Sequence, residues 1–222
     1  MKINEAISTR RSIRMFKSDP IPKKVLEDII ETSQWAGSAM NTQPWEFAIV
    51  GGDKMEELRD KIGDADGPME LEFSNGSPLP NDFSKRSAEY MESSKRYQFP
   101  PGAENVEEKM KDLMKIRSRF SKAPNVIIVY SDKQLINWPW GFFSMGIISQ
   151  NVCLAALEHG LGTCILGMPA ARPNIIRDVC GISSEKVIIC VIAIGYPDFD
   201  AKINNIPRTR IPLKEWVHWH GF

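Results

Sequence analysis

Signatures of the common hydrolases, nucleotide-binding proteins and metalloenzymes are missing from this sequence. Its 222 residues contain no P-loop, GxSxG or HExxH motif, and they include only three histidines. The pair in the tail, His218 and His220, is too small a donor set to indicate a metal site. The cysteines match neither a CxxC redox pair nor a zinc ribbon, and we expect reduced core thiols at Cys153, Cys164, Cys180 and Cys190. Hydrolytic and metal-dependent chemistry are therefore disfavoured.

An excess of charge of one sign is also lacking. The 28 basic and 28 acidic residues cancel, so the chain lacks the broad positive field that nucleic-acid binding requires. Residues 1–14 carry charges throughout and no apolar run of signal-peptide length, which predicts a cytoplasmic protein. Residues 141–160 are apolar but interrupted by polar side chains, so we expect a helix buried in the core or at a subunit interface, not a membrane span.

Apolar periodicity predicts alternating helices and strands in one domain over residues 1–222. A short helix around Ile3 and Ile7 precedes a second helix that starts near Pro22 and ends near residue 37. Further helices are predicted at 54–62, 104–120, 141–160 and 174–180. Strands are predicted at 45–50, 125–130, 161–166 and 186–196. Residues 63–103 show no clear period and are interpreted as a long functional loop, a variable insertion or lid.

Three arginines stand within five residues in TRRSIRMF, residues 9–16, and no carboxylate lies among them. Guanidinium groups are always charged and match the geometry of phosphate. In a chain without net charge, this segment predicts a site for a small phosphorylated molecule. A solvated basic turn is the alternative for the segment taken alone.

A polar loop, GSAMNTQPW at residues 37–45, leads from a predicted helix into a predicted strand. Ser38, Asn41 and Gln43 offer donors and acceptors of the kind that bind carbonyls and ring nitrogens, although an ordinary connecting loop would use similar residues.

GLGTCILG, residues 160–167, looks superficially like a dinucleotide-binding loop. Because it leaves a helix and enters a strand, the reverse of the Rossmann order, we reject an independent NAD domain.

Taken together, these segments resemble the flavin-dependent nitroreductase family. The shared motifs are RRSIR followed by MF, S-x-x-N-x-Q-P-W about 25 residues later, GLGTC followed by ILG, a buried IGYPD, and a tail with RTR before W-V-H-W. Their order and spacing agree across most of the chain, except at residues 63–103.

The resemblance implies an α+β fold with a mainly antiparallel central sheet flanked by helices. It also implies an obligate homodimer that holds two FMN molecules at its interface. In such a dimer the tail, at about residues 203–222, passes to the partner and completes its sheet.

The resemblance further implies which residues bind the cofactor. Arg10 and Ser12 bind the phosphate and ribityl chain together with Arg208 and Arg210, while Arg14 lies near the pyrimidine edge of the flavin. The loop at residues 38–43 reaches the same flavin from the other subunit, and the backbone N–H groups at residues 166 and 167 approach flavin N5. The full expected set is Arg10, Arg11, Ser12, Arg14, Ser38, Ala39, Asn41, Gln43, Leu166, Gly167, Arg208 and Arg210.

The activity implied by the resemblance is reduction of nitroaromatic, quinone or similar electron-poor acceptors by NAD(P)H, with ping-pong kinetics. No catalytic side chain is required, because the flavin performs the redox chemistry. Alternatives are another FMN reaction on the same fold, such as oxidation, dehalogenation or flavin processing, a flavin-binding regulator without turnover, and a plain structural dimer. Two residues depart from the family pattern: Gly37 replaces a common proline, and Leu166 replaces an acidic residue.

The segment at 63–103 lies outside the resemblance, and its own composition suggests a role in specificity. Its aromatic side chains would form a mobile wall over the flavin and select acceptors. These residues are Phe83, Tyr90, Tyr97 and Phe99.

Overall fold

A four-stranded sheet forms the centre of the fold in the computed structural model, which describes residues 1–74 and 77–222. The strands are β1 (Glu46–Val50), β2 (Asn125–Asp132), β3 (Gly162–Leu166) and β4 (Lys186–Gly195). They lie in the order β1-β2-β4-β3, and every neighbouring pair is antiparallel. All four lie where apolar runs predict them, and the α+β class is confirmed.

The central strands are apolar on both faces because helices cover the sheet on both sides. Along β2, Val126 and Ile128 belong to one hydrophobic cluster, whereas Ile127 and Val129 belong to the other. This alternation follows the two-residue period of a strand, and it places an apolar side chain on each face. The sheet is therefore the middle layer of three.

Seven helices of the described residues complete the fold. They are α1 (Ile3–Thr9), α2 (Lys23–Ser33), α3 (Gly52–Gly63), α4 (Asn81–Gln98), α5 (Val106–Ser118), α6 (Pro139–Glu158) and α7 (Pro173–Cys180). The first cluster receives Leu58 from α3 and Ile176 from α7. The second receives Ile29 from α2 and Met145 from α6.

Helix α6 is the apolar helix predicted at residues 141–160. By length and composition alone it is long and apolar enough to cross a membrane, and no other helix of the described residues is. However, 44% of its apolar window is buried inside the fold, and Ile148 and Val152 are fully buried. The predicted core position of this helix is confirmed.

All four cysteines are free, as the sequence predicts, and three of them are buried. Burial raises the pKa of the Cys190 thiol to about 11, although a hydrogen bond with Ser149 opposes the shift. A buried thiol of this kind is an inert core group and not a nucleophile.

Residues 63–103 do not form the unstructured loop that their composition predicts, because they contain α4, a helix of 18 residues. Its first turn is acidic and its last turn basic, which complements the helix dipole, and Arg96 pairs with Glu92 one turn earlier at 3.0 Å. None of its residues is buried, so it lacks the apolar stripe that marks a packed helix in a sequence. The prediction was wrong because it relied on that stripe.

A tight left-handed turn connects α5 to β2. Phe120, Ser121 and Lys122 have φ angles of 59°, 57° and 63°, which residues other than glycine rarely adopt. Phe120 is fully buried, and the carbonyl oxygen of Ser121 accepts the N–H of Phe16 at 3.2 Å. The turn therefore holds the chain immediately after the arginine segment.

We expect Lys122→Gly to stabilise the protein slightly. Lys122 is exposed, and its side chain forms no hydrogen bond or ion pair within residues 1–74 and 77–222. Glycine removes the Cβ clash of the left-handed conformation but loses more entropy on folding, so the free energy of unfolding should rise by about 0.5–1 kcal/mol. Chemical denaturation measures this change. Lys122→Ala removes the same charge but keeps Cβ. An equal gain in its free energy of unfolding would show that the lost charge, and not the backbone conformation, causes the effect.

Candidate functional site

The arginine segment, residues 10–14, runs beside the outer edge of β3. Ser12 forms a parallel bridge with Thr163, and the N–H of Ile13 donates to the Thr163 carbonyl oxygen at 2.9 Å. Ile13 is 2% exposed and packs in the core. Since alternate side chains of an extended chain lie on one face, Arg10, Ser12 and Arg14 share the face opposite Ile13.

Asn204 fixes the backbone at the end of this segment. Its side chain is buried, and its Oδ1 accepts the N–H groups of Arg14 at 2.7 Å and Met15 at 3.2 Å. Its Nδ2 donates to the carbonyl oxygens of Met15 and Asp198, both at 2.7 Å. A buried amide bonded on both sides holds the chain in one conformation. Sequence reasoning missed this residue, and its only signal is a polar pair inside the short stretch INNI.

Five arginines line one cavity, called here the arginine cavity. It joins the N-terminal segment to the tail, and its lining residues are Arg10, Arg11, Ser12, Arg14, Tyr90, Ile203, Asn204, Ile206, Arg208 and Arg210. The structure thus brings together six of the residues expected from the sequence, four from one end of the chain and two from the other.

The charge in the arginine cavity is not compensated by the protein. No carboxylate lines the cavity, and none of its five arginines forms an ion pair with another described residue. Burial, followed by repulsion from the neighbouring guanidinium groups, lowers the pKa of Arg208. Clustered positive charge without a counter-charge favours binding of an anion.

Two of the arginines are anchored by the protein itself. Arg208 donates to the carbonyl oxygen of Ser8 at 2.7 Å and to that of Arg10, while Arg11 donates to the carbonyl oxygen of Ile206 at 2.5 Å. These bonds tie the tail to the N-terminal segment. The guanidinium of Arg10 donates no hydrogen bond to the part of the chain that the structure describes, so all its donors remain available to a ligand.

The loop at residues 38–43 is held against α6 and not against the arginine cavity. The N–H of Ala39 donates to Ser144 Oγ at 3.2 Å, and the N–H of Gln43 donates to Ser38 Oγ at 3.0 Å. Asn41 and Gln43 have φ angles of 55° and 46°. Such left-handed conformations are strained in residues other than glycine and are enriched at functional sites. Ser38, Ala39, Asn41 and Gln43 do not line the arginine cavity. Within one chain, the two halves of the expected site are separate.

The backbone immediately after β3, at Gly167, is open. Leu166 packs its side chain against the first hydrophobic cluster, and a Cβ placed on the exposed Gly167 would meet no atom within 4 Å. The end of β3 at Leu166 lies three residues beyond Thr163, the partner of Ser12, which is a distance of about 10 Å along the strand. Because the arginine segment runs parallel to β3, this open backbone lies nearer Arg14 than Arg10.

A second cavity, called here the helix cleft, is lined by residues of α4 and α5 and shares Arg14 and Tyr90 with the arginine cavity. The Arg14 guanidinium lies 5.9 Å from the centroid of the Tyr90 ring, within the range of a cation–π contact. Tyr90 lines both cavities, whereas Phe83, Tyr97 and Phe99 line neither. Tyr90 is therefore the member of the expected aromatic wall that the structure brings to the site.

The end of the tail carries a large exposed aromatic surface. Trp216, Trp219 and Phe222 are 57%, 66% and 100% exposed, and the tail forms one short 3-10 turn there, Leu213–Glu215. Trp219 and Phe222 stack edge to face, with ring centroids 5.6 Å apart. Exposed surface of this kind marks an interaction site.

The sheet flanked by helices, together with an arginine cavity free of carboxylates, defines an α+β protein with a cavity suited to an anionic ligand. The model of the nitroreductase family matches residues 7–196. The chain therefore belongs to the nitroreductase family, as the sequence motifs predict.

Curated relatives match over almost their full length. This chain is 26% identical over 221 residues to a 4-nitrobenzoate reductase of Pseudomonas putida, covering 97% of this chain and 94% of the relative. It is 25% identical over 212 residues to the nitroreductase NfnB of Mycolicibacterium smegmatis, covering 94% of this chain and 88% of the relative.

Solved structures share the fold. The FMN- and NADPH-dependent nitroreductase NfnB from Sphigopyxis sp. strain HMH superimposes with a TM-score of 0.88 at 25% identity, and the match covers 100% of both chains. The FMN-dependent NfnB from Mycobacterium smegmatis, solved in complex with NADPH, gives a TM-score of 0.83 at 22% identity over 98% of this chain and 97% of that one. The second likeness concerns the fold alone.

Proposed function

We propose that this protein is an FMN-dependent NAD(P)H oxidoreductase that reduces nitroaromatic, quinone or similar electron-poor acceptors. Family membership and the activities of its relatives support this class. The observation that carries the proposal is the arginine cavity, in which five guanidinium groups face one space without a carboxylate.

The cavity fits the phosphate of FMN by the chemistry of its donors. Arg10, Arg208 and Arg210 supply charge-assisted hydrogen bonds to phosphate oxygens, and Ser12 supplies a hydroxyl for the ribityl chain. Arg11 donates one hydrogen bond to the tail, to the carbonyl oxygen of Ile206, and so helps to hold the cavity together. Arg14 lies further along β3, which places its charge at the ring end of a ligand whose phosphate is bound at Arg10.

When bound, FMN accepts a hydride from NAD(P)H and passes electrons to the acceptor. The residues of this chain supply orientation and charge. Arg14 would stabilise negative charge that develops at the pyrimidine edge, and the family resemblance implies that the backbone at Leu166 and Gly167 would approach the reacting atom. No side chain needs to act as a general acid or base for hydride transfer.

A homodimer is part of this proposal because one chain leaves the site incomplete. Ser38, Ala39, Asn41 and Gln43 lie outside the arginine cavity, and in a dimer they would approach the flavin bound by the partner. The exposed tail aromatics provide surface to bury in such an interface.

The sheet offers one open edge for the partner's tail. The outer edge of β3 is occupied by the bridge to Ser12, whereas β1 pairs with β2 on one side only among the described residues. An unpaired edge accepts an added strand through backbone hydrogen bonds. We therefore place the partner's tail at β1.

A cytoplasmic location belongs to the same proposal and is supported by the free cysteines.

Ping-pong kinetics are the expected signature of this function. Residues 1–74 and 77–222 form no separate nicotinamide-binding fold, so donor and acceptor should use the same flavin face in turn. Initial rates measured over a grid of NAD(P)H and nitroaromatic concentrations should give parallel double-reciprocal lines. Intersecting lines would require a ternary complex and would contradict a single shared face.

A further inference from the structure

The helix cleft combines apolar walls with positive charge. Its apolar side chains include Met91, Met110, Leu113 and Met114. Its charged side chains are Arg14, Lys95 and Arg117, and no carboxylate lines it. Methionine side chains are flexible and adapt to aromatic ligands of varied shape. The lining therefore suits a ligand with an apolar body and an anionic group.

The cations of the cleft have few partners of their own. Lys95 forms no ion pair or hydrogen bond through its side chain with the described residues, and the Arg117 guanidinium reaches only Met114 Sδ at 4.0 Å. Arg14 donates to the Ser12 carbonyl oxygen at 3.3 Å. Three positive groups around one apolar space favour an anion there over a neutral molecule.

The cleft also adjoins the proposed flavin site. It shares Arg14 and Tyr90 with the arginine cavity, so a molecule in the cleft is adjacent to the proposed FMN site. Lys95 on α4 and Arg117 on α5 line the cleft but do not line the arginine cavity, so they can select acceptors without holding the FMN phosphate.

We infer, resting on the proposed function, that the helix cleft selects aromatic acceptors bearing a carboxylate, with Lys95 and Arg117 as the specificity-determining residues. The methionine and leucine side chains contact the ring, and the two cations pair with the carboxylate. A neutral acceptor of the same shape gains only the apolar contacts. Selection is thus for the anionic group and not for the nitro group.

The first test measures binding without turnover. Calorimetric titration of the FMN-loaded protein with benzoate and with benzamide compares an anion with a neutral analogue. Wild type should bind benzoate more tightly, and Lys95→Met or Arg117→Met should weaken benzoate binding by about tenfold while benzamide binding stays within about twofold. Lys85→Met on α4 and Lys111→Met on α5 remove a charge outside the cleft and should behave as wild type. Equal affinity of the wild type for both probes would overturn the inference.

The second test measures selectivity as the ratio of kcat/KM for 4-nitrobenzoate to that for its methyl ester. This ratio should fall by about tenfold in Lys95→Met and Arg117→Met and should invert in Lys95→Glu. The opposing outcome is that the variants keep the ratio for the two nitro compounds and lose kcat/KM for NADPH relative to NADH. That result would assign Lys95 and Arg117 to the extra phosphate of NADPH and overturn the inference.

The two tests separate this inference from the proposed function. Discrimination between benzoate and benzamide without NAD(P)H-dependent reduction of any nitro compound or quinone would support the cleft and refute the proposed activity. Reduction of both nitro compounds with no preference for the acid in wild type would leave the activity standing and refute the role of the cleft.

Discussion

Replacing Arg10 with alanine is expected to weaken FMN binding by roughly ten- to a hundredfold while changing riboflavin binding little. Charge-assisted hydrogen bonds to a largely desolvated phosphate contribute about 1.5–3 kcal/mol each. Arg10 lines the cavity, and its guanidinium donates no hydrogen bond to the described residues, so its loss should remove contacts to the ligand and few within the protein. Riboflavin lacks the phosphate and serves as the matched ligand. Titration of apo-protein by flavin fluorescence measures both affinities.

Arg10 tests the phosphate site more cleanly than Arg208 does. Arg208 also holds the carbonyl oxygens of Ser8 and Arg10, so its removal should loosen the tail as well as the anion site. Lys17→Ala removes an exposed charge outside the cavity and controls for the change in net charge. Equal losses of FMN and riboflavin affinity in the Arg10 variant would show that Arg10 supports the fold instead of the phosphate.

The sheet was predictable because its strands carry strong local signals. The segments NVIIVY and KVIICVIAIG are apolar runs rich in the β-branched residues Val and Ile, and such runs are typical of strands covered on both faces. The Gly and Pro residues beside them mark the chain breaks. Their lateral order was not predictable from these signals, since it depends on pairings between segments distant in sequence, such as Asn125 with Ile194.

Helix α4 was not predictable from hydrophobic periodicity. Local charge placement favours it, and one side meets the residues after β4 and lines the helix cleft together with α5, but it buries no side chain fully. A helix without a buried stripe looks like polar loop in a sequence. Tyr90 was visible as an aromatic residue, but its position at both cavities required the helix.

The candidate site was predictable in its chemistry and not in its assembly. Arginines without carboxylates indicate an anion site from either end of the chain, yet only the fold brings residues 10–14 and 208–210 into one cavity. Asn204 escaped notice because a buried amide that holds a backbone has no motif of its own. The loop at 38–43 lies outside the arginine cavity of its own chain, so its expected contact with a flavin requires a second chain.

Deleting residues 211–222 is expected to convert a dimer that retains FMN into a monomer or aggregate that does not. The deletion keeps Arg208 and Arg210, so the charge of the arginine cavity is intact, but it removes Trp216, Trp219 and Phe222. Aromatic anchors dominate interface energies, and each such residue commonly contributes about 2 kcal/mol or more. Loss of the dimer would also withdraw the partner's loop at 38–43 from the flavin. Light scattering gives the mass, and absorbance of the purified protein gives the bound flavin.

Point variants separate the aromatic anchors from the length of the tail. Trp219→Ala should raise the dimer dissociation constant, whereas Lys214→Ala, an exposed change in the same tail, should leave it unaltered. A truncated protein that remains a dimer with bound flavin would show that the tail is not the anchor. A truncated monomer with undiminished FMN affinity would show that one chain forms the whole site, and the role proposed for Ser38, Asn41 and Gln43 across the interface would then be wrong.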